Sequence, residues 1–310
     1  MQWTGVMPAM STAFHPDLSI DHDFMKQHAD WMLRNGCSGL VMLGSLGEGA
    51  TLSDAEKIAI LSNIASSMHG RAPVVAAISS LSTAGAVRLA KEAEQAGCDG
   101  LMVLPPYVYS SDWREMRAHV AAILQATPLS CMLYNNPIAY RTDFLPEQLT
   151  ELAASHENLH AVKESSADIR RIAAIRSLLA DRVSIFVGVD DAIVEGIAAG
   201  AVGWIAGLVN AFPAESVALF RLADTGKHDE AFELYRWFLP LLRMDTVPKF
   251  VQLIKWVQQE VGVGAARVRP PRLELEGDEL ADAHRTLQRA LATRPRIPAG
   301  NFASSVGANA

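Results

Sequence analysis

Runs of basic residues, paired cysteine spacings and charge-free apolar stretches long enough to cross a bilayer are all missing from this chain of 310 residues. The first absence, with a net charge of −7, excludes nucleic acid and anionic membrane as expected partners. Three cysteines, Cys37, Cys98 and Cys131, are too few and too odd in number for a disulfide framework. Each adjoins an apolar run, so they are expected to be small core residues in a reducing compartment. The window Ile193 to Phe212 comes nearest to a membrane span, but Glu195, Asn210 and several glycines break it into a helix followed by a strand. The N-terminus lacks the basic start and apolar core of a signal peptide, and a soluble cytoplasmic protein is expected. Several catalytic signatures are also missing. There is no GxGxxG loop after an early strand, no Gly-Lys-Ser/Thr phosphate loop, no HExxH and no GxSxG elbow. Dinucleotide, nucleotide triphosphate, zinc and serine-nucleophile chemistry are thereby unsupported, and no cofactor or metal is expected.

Lysine is scarce as well, with seven in the chain. Six (Lys26, Lys57, Lys91, Lys227, Lys249 and Lys255) fall in stretches with helical periodicity or at their ends. The seventh, Lys163, ends the apolar run Leu159-His160-Ala161-Val162 and is followed by Glu164-Ser165-Ser166. A lysine at the end of a buried strand loses hydration, which pulls its pKa down from about 10.4 toward that of a usable nucleophile. A lysine whose long stem has simply carried the amine to the surface is the alternative reading of the same pattern.

What the chain does contain is a repeating unit of apolar run, loop and helical period. Predicted strands are Val6–Met10, Gly39–Leu43, Val74–Ile78, Gly100–Leu104, Leu129–Tyr134, Leu159–Lys163, Ser184–Val187 and Val202–Ala206. Helix starts are marked by Ser53-Asp54-Ala55-Glu56 and Asp112-Trp113-Arg114-Glu115, both capping boxes, and by Asp168 ahead of Ile169, Ile172, Ile175 and Leu179. The segment Asn35-Gly36-Cys37-Ser38-Gly39-Leu40 recurs as Ala96-Gly97-Cys98-Asp99-Gly100-Leu101, and more loosely as Ala199-Gly200-Ala201-Val202-Gly203-Trp204. Eight strands alternating with helices predict an α/β fold, a (β/α)8 TIM barrel, over residues 1–225. A doubly wound open sheet is the alternative. From Pro213 on only helical periods remain, so a C-terminal helical extension is expected over residues 226–295. Paired prolines, Pro270-Pro271, interrupt it, and the Gly/Ala/Ser/Asn-rich tail 296–310 is expected to be disordered.

In such a barrel the chemistry lies where strands end. After the second strand comes Gly44-Ser45-Leu46-Gly47-Glu48-Gly49, either an anion cradle of free N–H groups with the Ser45 hydroxyl or only a tight turn. After the fourth comes Pro105-Pro106-Tyr107-Val108-Tyr109. Tyr134 ends the fifth strand as Lys163 ends the sixth, so a phenol and an amine are expected side by side, fit to shuttle protons during Schiff-base formation. Tyr134 could equally pack the barrel rim. His160, three residues before Lys163, is expected on the outer face. Asp190-Asp191, after the seventh strand, suits helix capping as well as acid–base work.

Taken together, Gly44-Ser45-Leu46-Gly47-Glu48, Tyr134-Asn135-Asn136-Pro137 and Val162-Lys163-Glu164 resemble the dihydrodipicolinate synthase / N-acetylneuraminate lyase family over roughly residues 3–295. The resemblance implies a class I, metal-independent enzyme, commonly a homotetramer, acting on a small 2-oxo or cyclic imino acid. It implies that Lys163 forms the Schiff base, that Tyr134 transfers protons, and that Ser45, Leu46 and Ile205 contact the substrate. Three departures stand out. Leu46 replaces the second hydroxyl residue of the glycine loop, and Val108 stands where the synthases have a relay tyrosine, with Tyr109 one place on. Ala139 replaces a carboxylate-binding arginine, with Arg141 two places on. These make lysine biosynthesis a poor expectation. With the stretch Gly203-Trp204-Ile205-Ala206-Gly207-Leu208-Val209-Asn210-Ala211-Phe212-Pro213, the pattern looks like the branch holding 1-pyrroline-4-hydroxy-2-carboxylate deaminase of hydroxyproline breakdown. The alternatives are a 2-oxo-3-deoxy sugar-acid aldolase or dehydratase, dihydrodipicolinate synthase itself, and a non-catalytic sensor of oxo acids.

Overall fold

A computed structural model describes residues 1–106 and 112–297. The eight strands are β1 (Gly5–Pro8), β2 (Leu40–Met42), β3 (Val74–Ile78), β4 (Gly100–Val103), β5 (Ser130–Asn135), β6 (Leu159–Glu164), β7 (Ser184–Val187) and β8 (Gly203–Ala206). All neighbours pair in parallel, in the order β1-β8-β7-β6-β5-β4-β3-β2. Between β1 and β2 the ring is joined by the bridge Ala9–Val41, where the Met10 N–H donates to the Val41 carbonyl at 2.9 Å. The fold is therefore a (β/α)8 barrel, as the alternation of apolar runs and helical periods predicts.

The strands read as unbroken apolar runs because helices cover their outer face and side chains fill the inner one. β3, Val74–Ile78, is buried at all five positions. At the amino end of the barrel, Trp3 donates from its indole to Ser130 Oγ at 2.7 Å and meets the Phe186 ring edge-on at 6.1 Å, closing that end. The three cysteines are free and buried.

Both expected capping boxes form. Ser53 and Glu56 exchange hydrogen bonds at the start of the helix Asp54–Met68, and Asp112 and Glu115 do so at Trp113–Gln125. The window Ile193 to Phe212 resolves into the helix Ile193–Ala198 and then β8. Among the described residues no helix is long and apolar enough to cross a membrane. Several predicted strand ends shift by a residue or two: β1, β2 and β4 stop before their apolar runs do, whereas β5 and β6 each run one residue past Tyr134 and Lys163, because Asn135 and Glu164 still pair.

Beyond the helix Pro213–Asp224 the chain runs through the helices His228–Leu242, Phe250–Glu260 and Gly277–Ala292. A short 3₁₀ turn, Arg243–Asp245, joins the first two of these three. The segment around Pro270-Pro271 is non-helical, as expected. Val108, Tyr109 and the tail from Pro298 onward, for which a relay role and disorder respectively are considered above, lie outside the described residues.

Candidate active site

Parallel pairing of β5 with β6 sets Tyr134 opposite Lys163. Both are nearly closed off from solvent, at 5% and 7% exposure. The Lys163 amine sits 4.2 Å from the centre of the Tyr134 ring, so the amine has not surfaced. Among the described residues no carboxylate lies within ion-pairing distance of it. Burial pulls its pKa down to about 8, against the opposing pull of Asp245 and Asp190. Burial also pushes the Tyr134 phenol up to about 12, while the Asn136 amide, donating to Tyr134 Oη at 2.9 Å, acts the other way. At neutral pH the pair is thus a neutral phenol beside an amine that is close to losing its proton.

Gly188, just after β7, makes room for the lysine. A Cβ there would lie 2.6 Å from Lys163 Cε and 1.9 Å from Ser165 Oγ. Gly188→Ala is therefore expected to slow Schiff-base formation by about an order of magnitude or more while leaving the barrel folded, through misplacement of the amine. Hydride trapping of the bound imine measures this, and wild-type trapping rates would refute it.

Across the mouth, Ser45 Oγ and Tyr140 Oη are hydrogen-bonded at 2.5 Å, and the Tyr140 ring meets Tyr134 edge-on at 5.7 Å. This chain of contacts joins the loop after β2 to the end of β5. Leu46 points elsewhere: its side chain packs with Val251, Ile254 and Val268 of the C-terminal region. A substrate can therefore meet its backbone N–H rather than its side chain. Among the described residues neither the Ser45 nor the Leu46 N–H donates to a protein acceptor, as an anion cradle requires. Ile205 is buried in β8 two residues beyond Gly203, whose missing side chain makes way for the Phe186 ring, so the two share the inner face. Arg141 is exposed and ends the short helix Pro137–Tyr140.

The loop after β2 is locked from behind. Glu48, fully buried and with φ +53°, accepts from Lys255 Nζ at 2.8 Å and from the Arg269 N–H at 2.9 Å. Lys255 also donates to the Thr12 carbonyl at 2.9 Å. Burial lowers its pKa and the facing Glu48 opposes that.

Asp190 does not cap the helix that follows it in sequence. Its carboxylate accepts from the Trp204 indole at 3.1 Å, from the Gly207 N–H at 3.2 Å and from the Leu208 N–H at 2.9 Å, tying the end of β7 to the turn after β8. Its neighbour Asp191 pairs with Arg243 at 3.4 Å. His160 is exposed on the outer face, hydrogen-bonded to Ser130 Oγ, as its spacing from Lys163 predicts. Among the described residues no three His, Cys, Asp or Glu side chains converge as a metal-ligand set.

Three contributors escape reading from the sequence. Ser165 Oγ is buried beside Lys163 and interacts with the Tyr134 phenol. Its position two residues after Lys163 was a usable signal, since alternate residues share a face. Glu48 with Lys255, and Asp245, carry no such signal, because their partners lie some 200 residues away or on another element. An apolar groove bounded by Met244, Val247, Leu253 and Leu275 lies in the helical extension, where the Lys249 amine is paired with Glu279. The chemistry belongs to the barrel mouth.

Comparison with known proteins agrees with this geometry. A model of the dihydrodipicolinate synthetase family matches residues 2–290. A 4-hydroxy-tetrahydrodipicolinate synthase of Moorella thermoacetica is 32% identical over 272 residues, covering 87% of this chain and 92% of the relative. The probable 2-dehydro-3-deoxy-D-pentonate aldolase YjhH of Escherichia coli is 30% identical, covering 91% and 96%. Among solved structures, the 4-hydroxy-tetrahydrodipicolinate synthase of Methylacidiphilum fumariolicum superposes with a TM-score of 0.90 at 28% identity, over 94% of this chain and 97% of that one. YagE of Escherichia coli, of the same family and solved with pyruvate, gives 0.88 at 25%, over 94% and 99%. A buried lysine against a tyrosine at the carboxyl end of this barrel, in a chain so matched along nearly its whole length, leads to one conclusion: the protein belongs to the dihydrodipicolinate synthetase family and is a Schiff-base lyase.

Proposed function

We propose that the protein is a 1-pyrroline-4-hydroxy-2-carboxylate deaminase, yielding 2-oxoglutarate semialdehyde and ammonia in hydroxyproline degradation. The observation that carries the core of this reading is the buried amine of Lys163 against the Tyr134 ring. The substrate is favoured by two sequence stretches, Tyr134–Pro137 and Gly203–Pro213, and by the departures from the synthase pattern at Leu46 and Ala139. The exposed position of Arg141 supports the same choice, since it offers no buried cation for a second substrate's carboxylate.

The chemistry follows from the groups present. The neutral amine of Lys163 adds to C2 of the cyclic imine while the free N–H groups of Ser45 and Leu46 hold the carboxylate. Tyr134, hydrogen-bonded to Asn136, passes the proton that the addition requires. The C2–N1 bond then breaks, opening the ring to an amine on C5, and the protonated Schiff base left at C2 acidifies C3, so that loss of that proton gives an enamine. The enamine's electron pair then forms the C3–C4 double bond as the 4-hydroxyl departs as water. Transfer of a C5 proton converts C5 to an imine, and hydrolysis at C5 and at C2 releases ammonia and the 2-oxo aldehyde. The net uptake is one water. The physical partner is a small 2-oxo or cyclic imino acid, and a homotetramer is the assembly proposed.

A 2-oxo-3-deoxy sugar-acid aldolase is the second reading, because YjhH, a probable pentonate aldolase, matches over 91% of the chain. A 4-hydroxy-tetrahydrodipicolinate synthase is the third, on the relatives so named. Ammonia release from the hydroxypyrroline carboxylate, compared with pyruvate release from sugar acids and with condensation of pyruvate and aspartate semialdehyde, separates the three. Sugar-acid cleavage as the faster reaction would displace the deaminase. Tyr134→Phe is expected to lower turnover by about 10²–10⁴-fold while pyruvate can still be trapped on Lys163 by borohydride, since the phenol moves protons and is not the nucleophile. Turnover within a few-fold of wild type would remove Tyr134 from the proton path.

A further inference from the structure

The mechanism above leaves one proton without a source, the one that turns the departing 4-hydroxyl into water. Lys163 is consumed in the Schiff base, and Tyr134 lies against that amine. Asp190 is buried and spends both carboxylate oxygens on Trp204, Gly207 and Leu208. Resting on the proposed deaminase reading, we propose that Asp245 is the catalytic acid for this step, delivered into the barrel mouth by the helical extension.

The Asp245 carboxyl lies over the backbone of Gly207, the first residue after β8. A Cβ on Gly207 would come within 2.1 Å of its Oδ1 and 2.7 Å of its Cγ. From that seat it interacts electrostatically with Lys163 of β6 and with Asp190 and Asp191 of the turn after β7. Arg243, on its own turn, is directed to Asp191 instead. Asp245 is only partly screened from solvent, and among the described residues its side chain takes part in no hydrogen bond or ion pair. It is thus an uncommitted carboxyl where β8 ends, at the same end of the barrel as the lysine. Burial and the neighbouring carboxylates raise its pKa well above the usual carboxylate range, with Lys163 acting the other way, and this keeps the proton available.

The step balances within the site. The enamine pair moves to form the C3–C4 double bond, the C4–O bond breaks, and the Asp245 proton joins the leaving oxygen to make water. The carboxylate left behind takes the proton from C5 in the following step and is restored.

The test compares Asp245→Asn, Asp245→Glu and Gly207→Ala with wild type in three readouts: borohydride trapping of pyruvate on Lys163, solvent deuterium exchange at the pyruvate methyl, and ammonia release from the hydroxypyrroline carboxylate. For Asp245→Asn the expectation is trapping and exchange near wild type, with kcat for ammonia release down about 10²–10⁴-fold and KM within a few-fold. Asp245→Glu should recover part of the loss. Gly207→Ala, which displaces the carboxyl without removing it, should reproduce the loss. A merely structural role would depress all three readouts together, and that result overturns the proposal. Undiminished ammonia release by Asp245→Asn overturns it alone and leaves the deaminase standing. Absence of ammonia release from wild type, with trapping intact, overturns the acid's step and the substrate together.

Discussion

Lys163→Ala abolishes borohydride trapping of pyruvate and lowers turnover by a factor of about 10⁴ or more, with the barrel still folded. The expectation follows from the role of the side chain. Alanine removes a buried amine at the mouth that, among the described residues, makes no ion pair, and with it the covalent route that divides one difficult step into easier ones. The fold should survive, because the change deletes a desolvated amine that makes no salt bridge among the described residues and packs against the Tyr134 ring. The cavity left behind still costs some stability. Peptide mapping after trapping locates the label in wild type, and label on any other lysine refutes the assignment. The pH dependence has a definite sign. The reactive form is the neutral amine, and burial sets its pKa at about 8, so trapping should rise with pH through about 8 and level off above it. A rise delayed to the range of a free lysine, about 10.4, would show that the amine is not desolvated.

Lys255→Met is expected to lower the free energy of unfolding by about 3–5 kcal/mol, because it leaves the Glu48 carboxylate buried without its cation. Glu48 is 0% exposed, and its remaining partners would be the Arg269 N–H and Arg272, the latter 3.9 Å away. The double variant Glu48→Gln/Lys255→Met should recover most of the loss, since it removes the uncompensated charge rather than exposing it. Urea titrations of the single and double variants measure this. Equal stability of the single variant and wild type would show that the pair is incidental. A functional consequence should accompany the loss. Glu48 sits on the loop that carries Ser45 and the free N–H groups, so loosening it should raise KM for the carboxylate substrate more than it lowers kcat.

These two lysines show how much of the site could be read in advance. Lys163 was legible because a strand has a short, local signature. An apolar run that ends on a charge marks both the strand and the residue at its mouth, and the next run, ending on Tyr134, supplies the neighbour. Alternation within the strand put His160 outside and would have put Ser165 inside. Lys255 gave no such warning. It lies among Phe250, Leu253, Ile254 and Val257 in a helix whose sequence does not say how far around its surface the core extends. The direction of the Leu46 side chain was hidden for a related reason. Its place in the glycine loop marks the backbone as a site, while the direction of its side chain depends on Val251, Ile254 and Val268.

By itself, then, the sequence determined the eight-stranded barrel, its helix starts, and a buried lysine and tyrosine side by side at its mouth. Each of these follows from periodicity, capping or strand register, which are set by residues close together in the chain. Only the tertiary structure decided what stands around them: Glu48 locked by Lys255, Tyr140 joined to Ser45, Asp190 committed to the turn after β8, and Asp245 brought over Gly207 from the helical extension. The physical reason is one of range. Local hydrogen bonding and hydrophobic periodicity act over a few residues, whereas burial, charge pairing and the pKa shifts they cause depend on segments that meet only once the barrel has closed and the helical extension has folded against it.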